Sequence, residues 1–211
     1  MDTPTPNTTR DLLLAHAEKL IRTRGCNGFS YRDLAEHVGV KTSSIHYYFP
    51  GKDDLLYEAV EAYSARALGA VRAIDTAQPA QAQLEQYLSM MESRACGSGE
   101  LCLGGMLAAD IMSLSDRVRG ALQGFFRAHE AWLARVLAEG AAQGTLKFSG
   151  TADAAGRAVF ATVQGCLLVS RLFQQPPALC EAIRALYVEC DKAAKPAAAA
   201  SQSAPATASG E

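Results

Sequence analysis

The sequence predicts an all-α fold of about nine helices, in which a small three-helix head precedes a larger helical domain. Hydrophobic residues make up 49% of the 211-residue chain, and Ala and Leu are abundant, which is typical of helical proteins. Apolar residues recur at helical spacing in successive segments. Cap residues and Gly or Pro breaks separate these segments. A chain of this length can bury a substantial core in one or two domains.

The head begins with a predicted helix from about Thr9 to Arg24, which Gly25 ends. Ser30 is a good N-cap for the second helix, and Asp33, three residues on, supplies an acidic variant of the capping box. Gly39 falls just after that helix, where a left-handed residue is favoured. We therefore expect a tight turn at this glycine.

A short third helix after this turn completes a helix-turn-helix, whose second helix enters the major groove of DNA. Hydroxyl and short polar groups suit base edges and phosphates, and lysines suit phosphates. The candidate DNA contacts on and beside this helix are Lys41, Thr42, Ser43, Ser44, His46, Tyr47, Tyr48 and Lys52. The alternative is an ordinary helical hairpin inside an all-α domain.

The remaining helices follow in order, separated by predicted loops at residues 96–100 and 146–150. They are predicted at about Lys52–Ile74, residues 80–95, Leu103–Met112, Ser115 to about Ala142, Ala152–Phe173, and Leu179 to about Lys192. The domain plan is a disordered segment at 1–8, a DNA-binding head at 9–51, a ligand-binding and dimerisation domain at 52–192, and a disordered low-complexity tail at 193–211.

The segment Ala152–Phe173 is apolar on more than one face, so it must be buried on more than one side. A homodimer explains this, with helices at about 152–173 and 179–192 forming a four-helix bundle across a two-fold axis. Gly165 would let helices approach closely there. The alternative is a fully covered core helix in a monomer.

Charge and composition exclude several classes of protein. Net charge is −2 and the pI is about 6.1, so the chain is not broadly basic, although the segment up to Lys52 is slightly positive. The N-terminus has no secretory h-region, and no apolar run could span a bilayer. A cytoplasmic location is therefore expected. The six cysteines show no metal spacing, so free thiols and no metal or cofactor are expected.

The segment RDLAEHVGVKTSSIHYYFPGKDDLL (32–56) resembles the TetR family of bacterial transcriptional regulators. The resemblance implies a homodimeric repressor on a pseudo-palindromic operator of nucleoid DNA, released when a small molecule in the C-terminal core re-angles the heads. It adds Arg32 to the DNA-facing positions and places Lys52 at a phosphate contact. Lys41-Thr42-Ser43 stands where the family often has Ser-Lys-Gly, and His46 replaces a Tyr, so base preference cannot be transferred.

A second segment, LCLGGMLAAD (101–110), resembles a Gly-Cys-Leu-x-Gly-Asn-Leu-x-x-Glu motif of family members that respond to electrophiles. Cys102 lies on the motif cysteine, whereas Leu101, Met106 and Asp110 replace its Gly, Asn and Glu. A position just before a short helix favours thiolate, which could add to an electrophile or oxidise reversibly. The alternative is a small buried hydrophobe.

The C-terminal helices offer apolar and soft side chains that could line a pocket for a small, mostly apolar effector, with an electrophilic one among the options. The candidates are Tyr87, Met91, Cys102, Met106, Phe126, His129, Trp132, Phe160 and Gln164. At helical spacing such residues are more often plain core. Two alternative functions are a helical enzyme acting on reactive carbonyls through Cys102 and His129, and a dimeric binding module that does not bind DNA.

Overall fold

The computed structural model describes residues 8–95, 99–186 and 189–190. These residues form nine α-helices and one two-stranded sheet, which confirms the all-α prediction. The elements are α1 (Thr9–Arg24), α2 (Tyr31–Val38), α3 (Thr42–Tyr48), α4 (Lys52–Arg72), α5 (Ala80–Ala95), α6 (Leu103–Ala109), α7 (Asp116–Gln143), β1 (Leu146–Lys147), α8 (Ala152–Phe173), α9 (Leu179–Leu186) and β2 (Glu189–Cys190). Short 3-10 turns occupy Cys26–Gly28 and Ile111–Ser113.

The predicted disordered segments lie outside the described residues, except at one position. Thr8 is ordered and caps α1, because its Oγ1 accepts the N–H of Asp11 at 3.2 Å. The Asp11 carboxylate accepts the N–H of Thr8 in return, at 3.0 Å, which completes a capping box. None of the described helices is long and apolar enough to cross a membrane.

The predicted signals of the helix-turn-helix are confirmed. Ser30 caps α2 by accepting the N–H of Asp33 at 3.4 Å, and the Asp33 carboxylate accepts the N–H of Ser30 at 2.6 Å. Gly39 ends α2 in the left-handed conformation, with φ 75° and ψ 34°. Since Gly has no Cβ, it adopts this backbone without strain, and α3 starts three residues later.

The head buries its apolar side chains in a core that extends beyond the first three helices. Leu13, Leu34 and Ile45, from α1, α2 and α3, are fully buried. The first turns of α4 join this core, as do side chains from α6 and the start of α7. These later contributors are Leu55, Leu56, Ala59, Val60, Leu103, Leu107, Leu114, Val118 and Leu122.

A second core lies between α5, α7 and α8. Tyr87 of α5 and Phe160 of α8 are buried at its centre. Helices α7 and α8 cross closely at Gly156, where an added Cβ would lie 2.9 Å from both the Ala134 nitrogen and the Glu130 carbonyl oxygen. Glycine is therefore required at this crossing, because any larger side chain would collide with the backbone of α7.

The predicted helix Leu103–Met112 is wrong in its last three residues. Helix α6 ends at Ala109, and a 3-10 turn follows Asp110. Asp110 has φ −94° and ψ 18°, and its carboxylate accepts the N–H of Cys26 at 2.8 Å. Helix α6 therefore ends at the position where the Asp110 carboxylate is hydrogen-bonded to the head.

The C-terminal end of the predicted last helix is also wrong. Helix α9 ends at Leu186, and Glu189–Cys190 forms a strand that pairs antiparallel with Leu146–Lys147. The loop predicted at residues 146–150 therefore begins with a strand, and its Leu146 is buried. Residues 187–188 and 191–192 of the predicted helix lie outside the described residues.

Candidate nucleic-acid interface and effector core

Helix α3 is anchored by its apolar side and presents its polar side to the solvent. Ile45 and the following Phe49 are fully buried. The Tyr47 side chain is 82% exposed, although its ring contacts that of Tyr48 at a centroid distance of 5.1 Å. Of the other candidate DNA contacts on or beside this helix, Lys41, Thr42, Ser43 and His46 are exposed, and Ser44 and Tyr48 are half-buried.

Tyr31, at the start of α2, holds the chain where α3 gives way to α4. Its hydroxyl lies 2.9 Å from the carbonyl oxygen of Phe49 and 2.6 Å from that of Gly51. Burial, with the Asp54 carboxylate as a smaller cause, raises the pKa of Tyr31 to about 12, so it remains a neutral donor. The sequence analysis missed this residue, whose partners are about twenty residues away.

Lys52 and Arg32 are engaged within the head. The Lys52 ammonium donates to the Phe29 carbonyl at 2.5 Å and lies 4.3 Å from the centroid of the Phe29 ring, which fixes the start of α4 to the start of α2. Arg32 pairs with Glu36 at 3.1 Å, and both side chains are largely exposed. Exposed pairs of this spacing contribute only about 0.3–0.5 kcal/mol, so the Arg32 guanidinium can readily change partners. A DNA contact by Arg32 and a phosphate contact by Lys52 stay predictions.

Several of the predicted pocket residues form one aromatic cluster. The Tyr87 hydroxyl lies 3.2 Å from Nδ1 of the buried His129. Trp132 stacks on Tyr87 with ring centroids 5.1 Å apart, and Phe160 stacks on His129 at 5.0 Å. Phe126 packs edge-on against Phe160 at 5.2 Å. These five side chains therefore share one mostly apolar core with a polar pair at its centre.

The other predicted pocket residues lie around α6, except Met91, which is buried in the same core from α5. Cys102 is half-buried at the N-cap position of α6. Gly105 separates it from α8, since an added Cβ would lie 2.6 Å from Oε1 of Gln164 and 3.9 Å from Cβ of Cys102. Met106 lies with its sulfur 3.9 Å from a guanidinium nitrogen of Arg171. The side of α6 that carries Gly105 and Met106 therefore faces α8.

The region around α6 is also hydrogen-bonded to the head, which the sequence analysis did not predict. Arg22 Nε donates to the Leu101 carbonyl at 2.8 Å, and the Leu101 N–H donates to the Arg22 carbonyl at 3.1 Å. The Asn27 amide donates to Ser113 Oγ at 3.1 Å. Burial, with the Asp110 carboxylate as a further cause, raises the pKa of Cys26 to about 11. The Cys26 thiol therefore stays protonated at this junction.

The described cysteine, histidine and acidic side chains form no cluster that could hold a metal ion. Those of Cys26, Cys102, Cys166 and Cys180 are free thiols. Cys102 lies at the start of α6, whereas His129 is bonded to Tyr87.

Two family models match the sequence. One, described as bacterial regulatory proteins of the tetR family, matches residues 13–59. The other, described as a tetracyclin repressor-like C-terminal domain, matches residues 77–186. No functionally curated protein matches the sequence significantly.

Solved structures give the same fold. A TetR-family transcriptional regulator from Agrobacterium tumefaciens is 34% identical, with a TM-score of 0.77 over 85% of this chain and 95% of that one. A TetR regulator from Legionella pneumophila is 26% identical, with a TM-score of 0.73 over 88% and 96% of the two chains. The reduced form of NemR from E. coli is 23% identical, with a TM-score of 0.73 over 84% and 93%, and this likeness is one of fold alone.

Proposed function

Since the chain belongs to the TetR family of bacterial regulatory proteins, we propose that it is a ligand-responsive repressor that binds a pseudo-palindromic DNA operator as a homodimer. Members of this family regulate transcription through DNA binding and are not enzymes. The finer points of the proposal, namely the repressor role, the dimer and the kind of effector, are argued below from particular residues. An operator-binding role would place the protein on the bacterial nucleoid in the cytoplasm.

The observation that supports operator binding best is the exposed polar face of α3. Its hydroxyl, imidazole and lysine groups surround the 82% exposed Tyr47, while Ile45 fixes the helix from beneath. Tyrosine and short polar side chains make hydrogen bonds and apolar contacts with base edges in the major groove. The half-buried hydrogen bonds of Tyr31 and Lys52 keep this face at a fixed angle to α4.

The test is a binding measurement by fluorescence anisotropy on genomic fragments and random DNA at matched salt, because salt alone changes affinity strongly. We expect a preference for one palindromic fragment. Tyr47→Ala should weaken binding to it by about 1–3 kcal/mol, the range of one good base contact. Met112→Ala truncates a side chain that is 91% exposed outside the head and should have no effect. Equal affinity for all DNA would exclude the proposal.

The proposed dimer rests on the outer face of α8. Leu168, Val169, Leu172 and Phe173 are between 50% and 75% exposed, and contiguous apolar surface of this kind marks an interaction site. A groove of about 400 Å³ runs beside them between α8 and α9. Gly165 opens onto this groove with no atom within 4 Å of an added Cβ. A second copy of the same helices would cover this surface.

The proposed effector domain is the core between α5, α7 and α8, together with α6. Its side chains are mainly apolar, so a small apolar molecule suits it. Because α6 is hydrogen-bonded to the head through Arg22 and Asp110, movement of α6 could change the angle of α3. Covalent sensing through Cys102 stays a prediction from the sequence resemblance.

A further inference from the structure

A small pocket lies beside the aromatic cluster and shares Phe126 with it, between the end of α6 and the first half of α7. It encloses about 280 Å³, slightly below the usual range for small-molecule sites, so its ligand must be small. Ala108 and Ile111 form one side, and α7 residues form the other. The α7 residues that line it are Arg119, Leu122, Gln123, Phe126, Arg127 and Glu130.

The lining combines an apolar base with two arginines. Leu122 is buried, and Ile111 and Phe126 are half-buried. Two arginines lie at the rim with a single carboxylate, that of Glu130. Guanidinium groups bind carboxylates in a bidentate geometry that an ammonium cannot match. This combination suits a molecule with an apolar body and one anionic end.

The two arginines differ in how fully their donors are used. Arg119 pairs with Asp116 at 3.3 Å and donates to the Leu114 carbonyl at 2.8 Å. Its Nε is buried and has no hydrogen-bond partner among the described residues. Arg127 donates to the Gln123 amide oxygen at 3.2 Å and forms no ion pair with a described residue. Arg127 is exposed, so a ligand carboxylate would use the guanidinium donors that its described contacts leave open.

The pocket also lies against the segment that holds the head. Ala108 and Ile111 stand on either side of Asp110, whose carboxylate accepts the N–H of Cys26 at 2.8 Å. Ser113, two residues beyond Ile111, accepts a hydrogen bond from Asn27. A molecule that fills the pocket would push on the backbone that supports both contacts.

We propose that this pocket binds a small amphipathic carboxylate, with its apolar part on Ile111, Leu122 and Phe126 and its anionic end on Arg127 and Arg119. The effect on DNA rests on the proposed function: occupancy would shift the segment around Asp110 and lower operator affinity. Binding itself does not depend on that function and can be measured without DNA.

The first test is isothermal titration calorimetry of the full chain with phenylacetate and octanoate. Phenylacetamide, which keeps the ring but lacks the charge, is the matched ligand. We expect the carboxylates to bind, and Arg127→Gln to weaken them by about tenfold, as expected when one charge-assisted contact is lost. Arg72→Gln, which changes an exposed arginine on α4, should bind like the wild type.

The site would be excluded if neither carboxylate bound, if the neutral amide bound equally well, or if Arg127→Gln left the affinity unchanged. Circular dichroism of the variant guards against misfolding, and Arg127→Lys should recover part of the affinity because it restores the charge. A second measurement adds the ligand to the protein–operator complex. Release that Arg127→Gln abolishes supports the effector role, whereas ligand binding with unchanged operator affinity overturns that role.

Discussion

His16 of α1 and His37 of α2 stack face to face, with ring centroids 3.3 Å apart and planes 6° from parallel. Burial, followed by the nearby charges of His37, Lys19 and Arg24, lowers the pKa of His16 below 6.5. Because the unfolded chain then takes up a proton at higher pH than the folded one, the head loses stability as the pH falls below about 6.5. Two stacked imidazoles cannot both be charged without strong repulsion.

At the scale of single residues, we predict that His16→Gln reduces the loss of folding stability that occurs as the pH falls. Urea unfolding from about pH 8 to pH 5 spans the titration range of an ordinary histidine. We expect the free energy of unfolding of the wild type to fall through this range, and that of His16→Gln to fall less. His46→Gln, which changes an exposed histidine on α3, should behave like the wild type. Parallel curves for all three proteins would show that the pair does not titrate on unfolding.

At the scale of elements, the contact between α7 and α8 depends on Gly156. An added Cβ would meet backbone atoms of Glu130 and Ala134 at 2.9 Å, and backbone cannot rotate away as a side chain can. The methyl group of Gly156→Ala should therefore force the two helices apart. Since α7 carries His129 and α8 carries Phe160, the same change would loosen the aromatic cluster.

We expect Gly156→Ala to destabilise the protein by about 1–3 kcal/mol, as overpacking of a core usually does. Gly124→Ala is the matched control on α7, because no atom lies within 4 Å of its added Cβ. That change should stabilise the fold by about 0.5–1 kcal/mol through helix propensity. Thermal and urea denaturation measure both. If Gly156→Ala raised the free energy of unfolding, α7 and α8 could move apart without loss of stability and the prediction would be wrong.

The elements also show which features a sequence can predict. The caps at Ser30 and Gly39 depend on residues within four positions, so local pattern was sufficient for both. Residue 110 behaves differently, because its carboxylate meets a backbone N–H 84 positions away. The same holds for β1 and β2, where pairing of Leu146 with Cys190 ends what periodicity predicted as continued helix.

The residues of the candidate site also fall into two groups, those that local sequence predicts and those that depend on distant parts of the chain. The burial of Ile45 and the exposure of Tyr47 follow from helical spacing on α3, and the sequence placed Tyr47 among the candidate DNA contacts. The roles of Tyr31 and Arg22 do not follow from spacing, because their partners lie in connecting segments about 20 and 79 positions away. The pocket beside Arg127 was missed for this reason too: its two sides are separate segments, and only the folded chain brings them together.

For the whole molecule, the head holds few cations that are not already engaged. Among the residues that the structure describes, three of the seven Lys and Arg residues up to Lys52 form ion pairs, namely Arg10 with Glu58, Arg22 with Glu100 and Arg32 with Glu36. Lys52 is bonded to the Phe29 carbonyl. Since affinity for DNA grows with the number of phosphates neutralised, one head should bind weakly. Two heads at a fixed spacing gain affinity through effective concentration.

Dimerisation should therefore control operator binding. Leu172→Lys places a charge at a position that is 75% exposed in the single chain and that a partner would bury. We expect a monomer by size-exclusion chromatography with light scattering, and a loss of operator affinity of tenfold or more, within the range attributed to avidity. Met112→Lys adds the same charge to an exposed site away from α8 and should remain dimeric. A dimeric Leu172→Lys would place the interface elsewhere.

The shared core of the head has a consequence for protein engineering. Leu103, Leu107 and Val118 fill the space beneath α1 and α4, so the head does not end where its three helices end. A chimera that joined residues 9–51 to another regulator would lose these side chains and expose the apolar faces they cover. To transfer the DNA-binding head to another protein, the side chains of α6 and of the start of α7 that cover it would have to be transferred too, or replaced by equivalent ones in the recipient.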